Sequence, residues 1–219
     1  MPPNSPADPP QRPAYQYPPP PTERPRRRLS KLRSLTGTLL LFILAPLIAL
    51  SITAFAFQSY EVDGDSMETT LQNKDRLIVN KISRSWARLK DKNYIPERGS
   101  IVVFEQRGLY AGSGDLQRQL IKRVIGLPGE RVVVKNGVVT VYSRQYPDGF
   151  NPDRSGLYAI TAKQTSGSYD VTLRQNELFV LGDNRVNSAD SRIFGPIQAD
   201  QIVGTLALRI FPINKAERF

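Results

Sequence analysis

The chain has 219 residues, a formal net charge of +10, and neither cysteine nor histidine. These absences exclude histidine-assisted catalytic triads, cysteine nucleophiles and ordinary zinc clusters, because the sequence does not supply their bases, nucleophiles and ligands. If the protein activates a hydroxyl group, lysine is therefore the leading candidate for the base. The hydrophobic fraction of 40% is sufficient for one folded domain with an appendage.

The first 34 residues have the composition of an unfolded tail. Eleven of the eighteen prolines precede residue 26, in a stretch where aliphatic residues are nearly absent. Residues 1–34 carry seven basic and two acidic side chains, so +5 of the net charge of +10 belongs to this segment. A basic cluster beside an apolar segment is a topology signal and needs no nucleic-acid partner to explain it. We predict a disordered, proline-rich, basic and cytoplasmic tail over residues 1–34.

Residues 35–57 form an uncharged run of 23 residues. At about 1.5 Å per helical residue, such a run spans the roughly 30 Å hydrocarbon core of a bilayer. The alternative is a cleavable signal peptide ending at Ala54-Phe55-Ala56, but the run exceeds the apolar segment of about 7 to 15 residues typical of signal peptides. Basic residues precede the run and acidic residues follow it, so the positive-inside rule puts the remainder outside the cytoplasm. The sequence predicts a single-pass transmembrane helix over residues 35–57, with a lipid bilayer as partner.

Residues 58–219 contain short segments rich in Val, Ile, Leu, Phe and Thr, separated by turn residues. Asn136 and Gly137 are typical of a two-residue hairpin turn, since both tolerate positive φ. Residues 82–92 are interpreted as a short helix or a loop, and residues 143–167 as a peripheral loop or part of an inserted subdomain. We predict a mostly β domain with strands at residues 76–80, 100–104, 118–125, 131–135, 138–142, 168–173, 177–181 and 201–210.

Ser66 is the candidate nucleophile. It follows Gly64 and Asp65, which favour a tight turn that exposes a hydroxyl, and it lies nine residues beyond the predicted membrane helix. Its backbone N–H is the candidate donor to a developing oxyanion. The alternative is a turn serine that caps its own backbone, which is the commoner role of an isolated Gly-Asp-Ser.

Lys122 is the candidate base. Strand alternation puts it on one face with Leu120 and Val124, between aliphatic neighbours that would exclude water. A solvated lysine has a pKa near 10.4 and stays protonated, whereas burial lowers the pKa to about 7 to 8. The alternative is a solvent-facing lysine that protects a sheet edge from pairing.

A third polar cluster covers residues 182–192 and contains two aspartates and two arginines among eleven residues. Its composition excludes a buried strand. One interpretation is a surface loop with internal ion pairs of little energetic importance. The other is a rigid loop that supports a catalytic group.

Four segments resemble, in chain order, the sequence boxes of bacterial type I signal peptidases, or leader peptidases, which are membrane-anchored serine proteases. The segments are residues 64–71, 99–104, 121–130 and 182–196, and the most specific strings are Lys-Arg-Val-Ile-Gly-Leu-Pro-Gly-Glu and Gly-Asp-Asn-Arg. The resemblance covers the membrane helix and most of the chain from residue 58 onward. It implies a β fold with a catalytic core and a smaller inserted region, here roughly residues 133–177.

The resemblance also implies the activity. Members remove N-terminal signal peptides from exported preproteins after small residues of the Ala-x-Ala type, so exported preproteins are the expected partners. The expected location is a bacterial cell membrane or a thylakoid membrane, with the domain over residues 58–219 outside the cytoplasm. No metal and no cofactor is implied, and the oligomeric state is left open.

Site roles follow from the same resemblance. It implies Ser66 as nucleophile, the Ser66 backbone N–H as oxyanion donor, and Lys122 as general base. It assigns the Ser188 hydroxyl to orienting the lysine ammonium. It also implies that Asp190 and Arg192 brace the loop near Arg123 and that Met67 is a wall of the substrate pocket. The local sequence beside the nucleophile and the base adds Val62, Leu71, Leu120 and Ile121 as expected pocket residues.

Two departures from the family pattern concern the nucleophile's turn. Thr69 stands where the motif usually has proline, which we expect to loosen the turn modestly without removing a reacting group. Gly64 stands where some members have a serine whose hydroxyl completes the oxyanion hole. The hole would then rely on the Ser66 amide and a water molecule.

Two other functions fit parts of the sequence. A self-cleaving repressor-type Ser/Lys peptidase would share the dyad, but the membrane helix and the absence of a DNA-binding helical region argue against it. An inactive membrane-anchored module that holds emerging preproteins would need no dyad. Intact Ser66, Lys122 and Ser188 argue against that second reading.

Overall fold

A computed structural model describes residues 27–106, 118–162 and 164–219, and the first helix, α1, is Arg27–Ala56. The predicted helix over residues 35–57 therefore begins eight residues too late, and Phe57 belongs to a strand instead. The prediction stopped where charged residues end the apolar run. A helix does not stop there, because Arg, Lys, Leu and Ser are all compatible with a helix and no proline occurs from residue 26 to residue 45. Residues 27–34 of the predicted tail are thus helical, and residues 1–26 lie outside the described residues.

The side chains described in α1 are those of residues 37–51 and Ala56. Within the described part of the chain, no helix is long and apolar enough to cross a membrane. The membrane span over residues 35–57 stays a prediction.

The rest of the described chain is built from strands, all paired antiparallel. The strands are β1 (Phe57–Glu61), β2 (Arg76–Asn80), β3 (Ile101–Gln106), β4 (Arg118–Gly126), β5 (Arg131–Lys135), β6 (Val138–Tyr142), β7 (Tyr169–Thr172), β8 (Glu177–Leu181), β9 (Ile197–Gln198), β10 (Ile202–Phe211) and β11 (Glu217–Arg218). The larger sheet has the order β1-β2-β10-β3-β4-β8-β9, with β11 beside β10, and the smaller sheet has the order β6-β5-β7. Helices are short, namely α2 (Ile82–Leu89), α3 (Ser191–Phe194) and the 3-10 turns Pro152–Arg154, Ala199–Gln201 and Ile213–Lys215.

The prediction of a mostly β domain is confirmed, and each predicted strand is found within two residues of its predicted bounds. Residues 82–89 are helical, which decides between the two interpretations of that segment. β1 was not predicted, because its short sequence directly follows the apolar run and carries no turn signal before it. The two-residue strands β9 and β11 are too short to leave a periodic pattern.

The two sheets share a core. Valines of the smaller sheet pack against Ile125, Phe179 and Leu181 of the larger sheet. All three strands of the smaller sheet lie between β4 and β8 in the chain, near the insertion predicted at residues 133–177. The division of the domain into a core and an insertion stays a prediction.

β4 has different neighbours along its length. β3 pairs with residues 118–123, whereas β8 pairs with residues 123–126. Among the described residues, positions 118–122 of β4 thus pair with a strand on one side, whereas Arg123 pairs with both β3 and β8. This change of environment occurs at Lys122 and Arg123.

Candidate functional site

Ser66 lies in the turn that follows β1, and this turn is anchored from below by apolar side chains. Met67 and Leu71 are 1% and 0% exposed and belong to the core cluster that also contains Leu77 and Ile101. The backbone closes through bonds from Glu68 N to Asp65 O (3.1 Å) and from Leu71 N to Met67 O (2.9 Å). Ser66 itself is half-buried.

The loop over residues 182–190 is hydrogen-bonded to this turn. Asn184 donates from its backbone N–H to the Ser66 carbonyl (3.1 Å) and from its side-chain amide to the Asp65 carbonyl (3.1 Å). A Cβ atom on Gly182 would overlap both the Ser66 carbonyl oxygen and the Ser188 hydroxyl. Only glycine therefore fits where the loop meets the nucleophile's turn.

Lys122 is 3% exposed and makes two hydrogen bonds. Its Nζ donates to Ser66 Oγ at 2.7 Å and to the Ile121 carbonyl at 2.8 Å. Burial lowers the pKa of Lys122 to about 8, while the negative charges of Asp190 and Asp183 raise it in part. Among the described residues, no carboxylate forms an ion pair with this ammonium.

Ser66 and Lys122 border a cavity of about 130 Å³ between the end of β1 and the first half of β4. Three predicted pocket residues line it, namely Val62, Leu120 and Ile121. Sequence reasoning missed several other lining residues, which are Tyr60, Glu61, Asp63, Leu77, Val103 and Gln119. What these residues share is their place in the fold, because each belongs to a strand beside the cavity or directly follows β1.

Met67 and Leu71 lie away from this cavity, so their expected role as pocket walls has no support from it and stays a prediction. Neither residue borders the cavity, and both are buried in the core beneath the turn. Adjacency in sequence to a nucleophile suggested a pocket wall, but in a turn the neighbouring side chains point to different sides. Here the apolar neighbours of Ser66 fix the turn in place.

Arg123 lies on the other face of β4 and is paired with Asp183. Arg123 Nε and Nη2 donate to the two carboxylate oxygens at 2.8 and 2.6 Å, and Nη1 donates to the Gly99 carbonyl at 2.7 Å. Thr70 Oγ1 donates to the same carboxylate at 2.5 Å. Sequence reasoning did not assign Asp183 to Arg123, although an acidic residue just after a strand that neighbours β4 was an available signal.

Asp190 and Arg192 pair with each other rather than with Arg123. Arg192 Nε and Nη2 each donate to Asp190 at 2.7 Å, and Gly182 N donates to the same carboxylate at 3.0 Å. Arg192 Nη1 also donates to the Arg185 carbonyl at 2.6 Å. The pair therefore holds the loop over residues 182–190 together, and the carboxylate that binds Arg123 is that of Asp183.

The predicted contact between Ser188 and the Lys122 ammonium is not formed. The Ser188 hydroxyl is buried and has no hydrogen-bond partner among the described residues. Lys122 is already engaged by Ser66 Oγ and the Ile121 carbonyl. The serine lies beside Gly182 instead, next to the nucleophile's turn.

Arg185 supports the same loop from the opposite side and was not singled out from the sequence. It is 0% exposed, and its guanidinium binds both carboxylate oxygens of Asp153 and the Gly182 carbonyl. Tyr158 donates to Asp153 at 2.7 Å, and its ring lies 4.6 Å from the Arg123 guanidinium carbon. Burial raises the pKa of the Tyr158 hydroxyl above its usual value. The polar loop is thus held by a network of buried ion pairs. Among the described residues, no three acidic side chains lie close enough together to ligate one metal ion.

Known proteins resemble the chain over most of its length. The family model described as "Signal peptidase, peptidase S26" matches residues 35–211. "Signal peptidase I S" of Bacillus subtilis (strain 168) is 34% identical over 201 residues, covering 87% of this chain and 96% of the relative. "Probable signal peptidase I-2" of Synechocystis sp. is 34% identical over 173 residues, covering 79% of this chain and 72% of the relative. "Signal peptidase I-1", also described as probable, from the same Synechocystis strain is 34% identical over 184 residues, covering 80% and 82%.

Proposed function

The chain belongs to the signal peptidase family, peptidase S26, and on this premise we propose that Ser66 is its nucleophile and Lys122 its general base. The protein is a serine endopeptidase that removes signal peptides. The observation that carries the residue assignment is the 2.7 Å contact between Lys122 Nζ and Ser66 Oγ at the edge of a cavity. A nucleophile and a base within hydrogen-bond reach are what covalent catalysis requires.

The chemistry takes place in two steps. In acylation, the neutral Lys122 amine takes the proton of Ser66 Oγ as this oxygen bonds to the scissile carbonyl carbon. The lysine then gives that proton to the departing amine, the C–N bond breaks, and the signal peptide is held as an ester. In deacylation, water gives a proton to the same amine and attacks the ester, and Ser66 Oγ recovers the proton as it leaves.

This mechanism requires a neutral lysine at a physiological pH. Burial in the apolar site lowers the pKa of Lys122 to about 8, against the opposing effect of Asp190 and Asp183. The fraction of neutral lysine, and with it the rate, increases as pH rises through this value.

Oxyanion stabilisation is assigned to the Ser66 amide. Among the residues that the structure describes, this N–H donates to no backbone carbonyl, so it is available to a developing oxyanion. Gly64 has φ of +100° and no hydroxyl, so it supplies no side-chain donor, and we assign the second donor to a water molecule.

The substrate is proposed to bind as an extended strand beside the first half of β4. In the described part of the chain, this segment has β3 on one side and no strand on the other, and the cavity lies between it and residues 60–63. An extended peptide presents alternate side chains to one face, so every second residue would meet the apolar walls formed by Val62, Leu120 and Ile121. A small cavity favours small residues at the first and third positions before the cut, as in Ala-x-Ala.

We further propose that α1 anchors the protein in a membrane, with the tail in the cytoplasm and the peptidase domain outside. Large apolar side chains are exposed around α1, from Leu39 to Leu50, and residues 35–57 carry no charge. A helix exposing such side chains on every face is suited to lipid. Protease added to intact spheroplasts should digest the chain beyond residue 58 and spare the first 30 residues, and the reverse pattern would contradict this topology.

The direct test is cleavage of a preprotein by the detergent-solubilised protein. We expect wild type to release a signal peptide ending in Ala-x-Ala, and Ser66→Ala and Lys122→Met to lose activity by roughly 10³-fold or more while staying folded. Lys122→Arg should be equally inactive because a guanidinium stays protonated. Lys135→Met changes an exposed lysine on β5 and serves as the matched control, which should keep full activity.

Two outcomes would contradict the proposal. Appreciable activity in Lys122→Arg would remove the lysine as base. Equal cleavage of preproteins with Ala and with Phe before the cut would remove the cavity as the determinant of specificity, even if the dyad survived.

A further inference from the structure

Most of the apolar stripe of α2 is exposed, since only its first residue, Ile82, is half-buried. Ile82, Trp86 and Leu89 are spaced four and three residues apart and therefore lie on one face of the helix. Trp86 is 58% exposed and Leu89 is 79% exposed. A surface helix of a globular protein normally buries its apolar stripe against the core.

The opposite face of α2 carries an arginine where an apolar residue is expected. Arg84 is half-buried, and its Nε is buried without a hydrogen-bond partner among the described residues. Ala87, on the same side, is also partly buried, whereas no residue of the helix is fully buried. The polarity of α2 is thus inverted relative to an ordinary surface helix, which indicates that its apolar stripe has a partner outside the fold.

Cations surround the stripe. Residues 81–92 contain five basic side chains and one acidic side chain, a net charge of +4. Arg88, Lys90 and Lys92 are exposed. A short helix with Trp and Leu on one side and Lys and Arg around it has the composition of a segment that lies in the interface of an anionic membrane.

The position of α2 points to the same partner. Lys81, which precedes the helix, donates its backbone N–H to the carbonyl of Ala56, the last residue of α1, at 2.8 Å. β1 and β2 pair Phe57 with Asn80, which brings the end of α1 beside the start of α2. If α1 crosses the bilayer, its outer end fixes α2 at the membrane surface.

We propose that α2 docks on an anionic lipid surface, with Trp86 and Leu89 inserted among the lipids and Arg88, Lys90 and Lys92 at their phosphates. This inference rests on the proposed membrane anchoring of α1. It assigns to α2 a second contact with the bilayer beside α1, and this contact would fix the orientation of the peptidase domain on the membrane.

Trp86 is the only tryptophan in the chain, so its fluorescence reports on α2 alone. The full chain is reconstituted in vesicles of phosphatidylcholine, with or without phosphatidylglycerol. The Trp86 fluorescence is then quenched either with aqueous acrylamide or with lipids brominated on the acyl chains. We expect acrylamide quenching to be about threefold weaker in the anionic vesicles, with matching quenching by brominated lipid, and the protection to decrease at high salt. The variant Arg88→Glu/Lys90→Glu should lose the protection, whereas Lys135→Glu/Arg174→Glu, with the same change of charge at exposed positions, should keep it.

Several results would overturn the proposal. Equal acrylamide quenching in detergent, zwitterionic vesicles and anionic vesicles would mean that α2 stays in water. Equal protection in zwitterionic and anionic vesicles would remove the anionic headgroup as partner, and protection in detergent that increases with protein concentration would mean that a second copy covers the stripe. Preprotein cleavage in detergent, measured on the same samples, reports on the proposed function separately, and both double variants should retain it.

Discussion

Lys122 and Arg123 are adjacent basic residues on β4, but they have different tasks. Lys122 contacts the candidate nucleophile, whereas Arg123 forms a buried ion pair that stabilises the fold. They are almost equally buried, at 3% and 5% exposed. Arg123 is bound by both carboxylate oxygens of Asp183, whereas Lys122 contacts a hydroxyl and a backbone carbonyl. A guanidinium stays charged when it is buried and therefore needs a counter-charge, whereas a buried lysine without a carboxylate can lose its proton at moderate pH.

The geometry of β4 produces this difference. Successive side chains on a strand point to opposite faces, so Lys122 and Arg123 meet different neighbours. β8 begins to pair at Arg123, and the loop that follows β8 brings Asp183 to the arginine face. Lys122 precedes that junction and faces the turn that holds Ser66.

The largest effect on stability is expected from Asp183→Asn. Removing this carboxylate leaves Arg123 buried without its counter-charge, so the free energy of unfolding should fall by about 3 to 5 kcal/mol. The matched control is Asp170→Asn, because Asp170 binds Arg131 with the same two-point geometry, at 2.8 and 2.6 Å, but both side chains are about half exposed. That control should lose much less stability, as measured by chemical denaturation, because water screens an exposed ion pair. Equal losses would show that burial does not distinguish the two ion pairs.

A second prediction concerns Lys122 and the pH dependence of stability. The pKa of Lys122 is about 8 in the folded state and 10.5 without the fold, so between these values the unfolded chain binds the additional proton. Stability contributed by this group therefore rises with pH through that window, by about 3 kcal/mol at 1.36 kcal/mol per pKa unit. The difference in unfolding free energy between wild type and Lys122→Met, measured at pH 7 and at pH 10.5, should shift in favour of wild type. An unchanged difference would mean that Lys122 is solvated.

Much of the fold was predictable because it depends on local pattern. Valine-rich segments and the Asn136-Gly137 turn located β5 and β6 correctly, and the alternation of β4 put Lys122 among apolar residues. Segments with weak local signals were missed or misplaced. The start of α1 at Arg27 was missed because the helix continues into charged residues.

The site was less predictable wherever it depends on contacts between distant residues. Asp183 and Arg123 are 60 positions apart, and only the pairing of β4 with β8 brings them together. The burial of Met67 likewise depends on a core cluster built from several strands. The roles of Ser66 and Lys122 stay predictions, supported by their mutual contact.

The most direct test of the central claim is the pH dependence of kcat/KM for preprotein cleavage by the wild-type protein. Since the base must be neutral, the rate should rise with a single apparent pKa of about 8, the value that burial gives to Lys122. In Asp183→Asn the rising limb should move to lower pH, because Asp183 raises the pKa of Lys122 in the wild type. A rising limb near 10.5 in the wild type would contradict the account, since it would mean that Lys122 is as solvated as a free lysine.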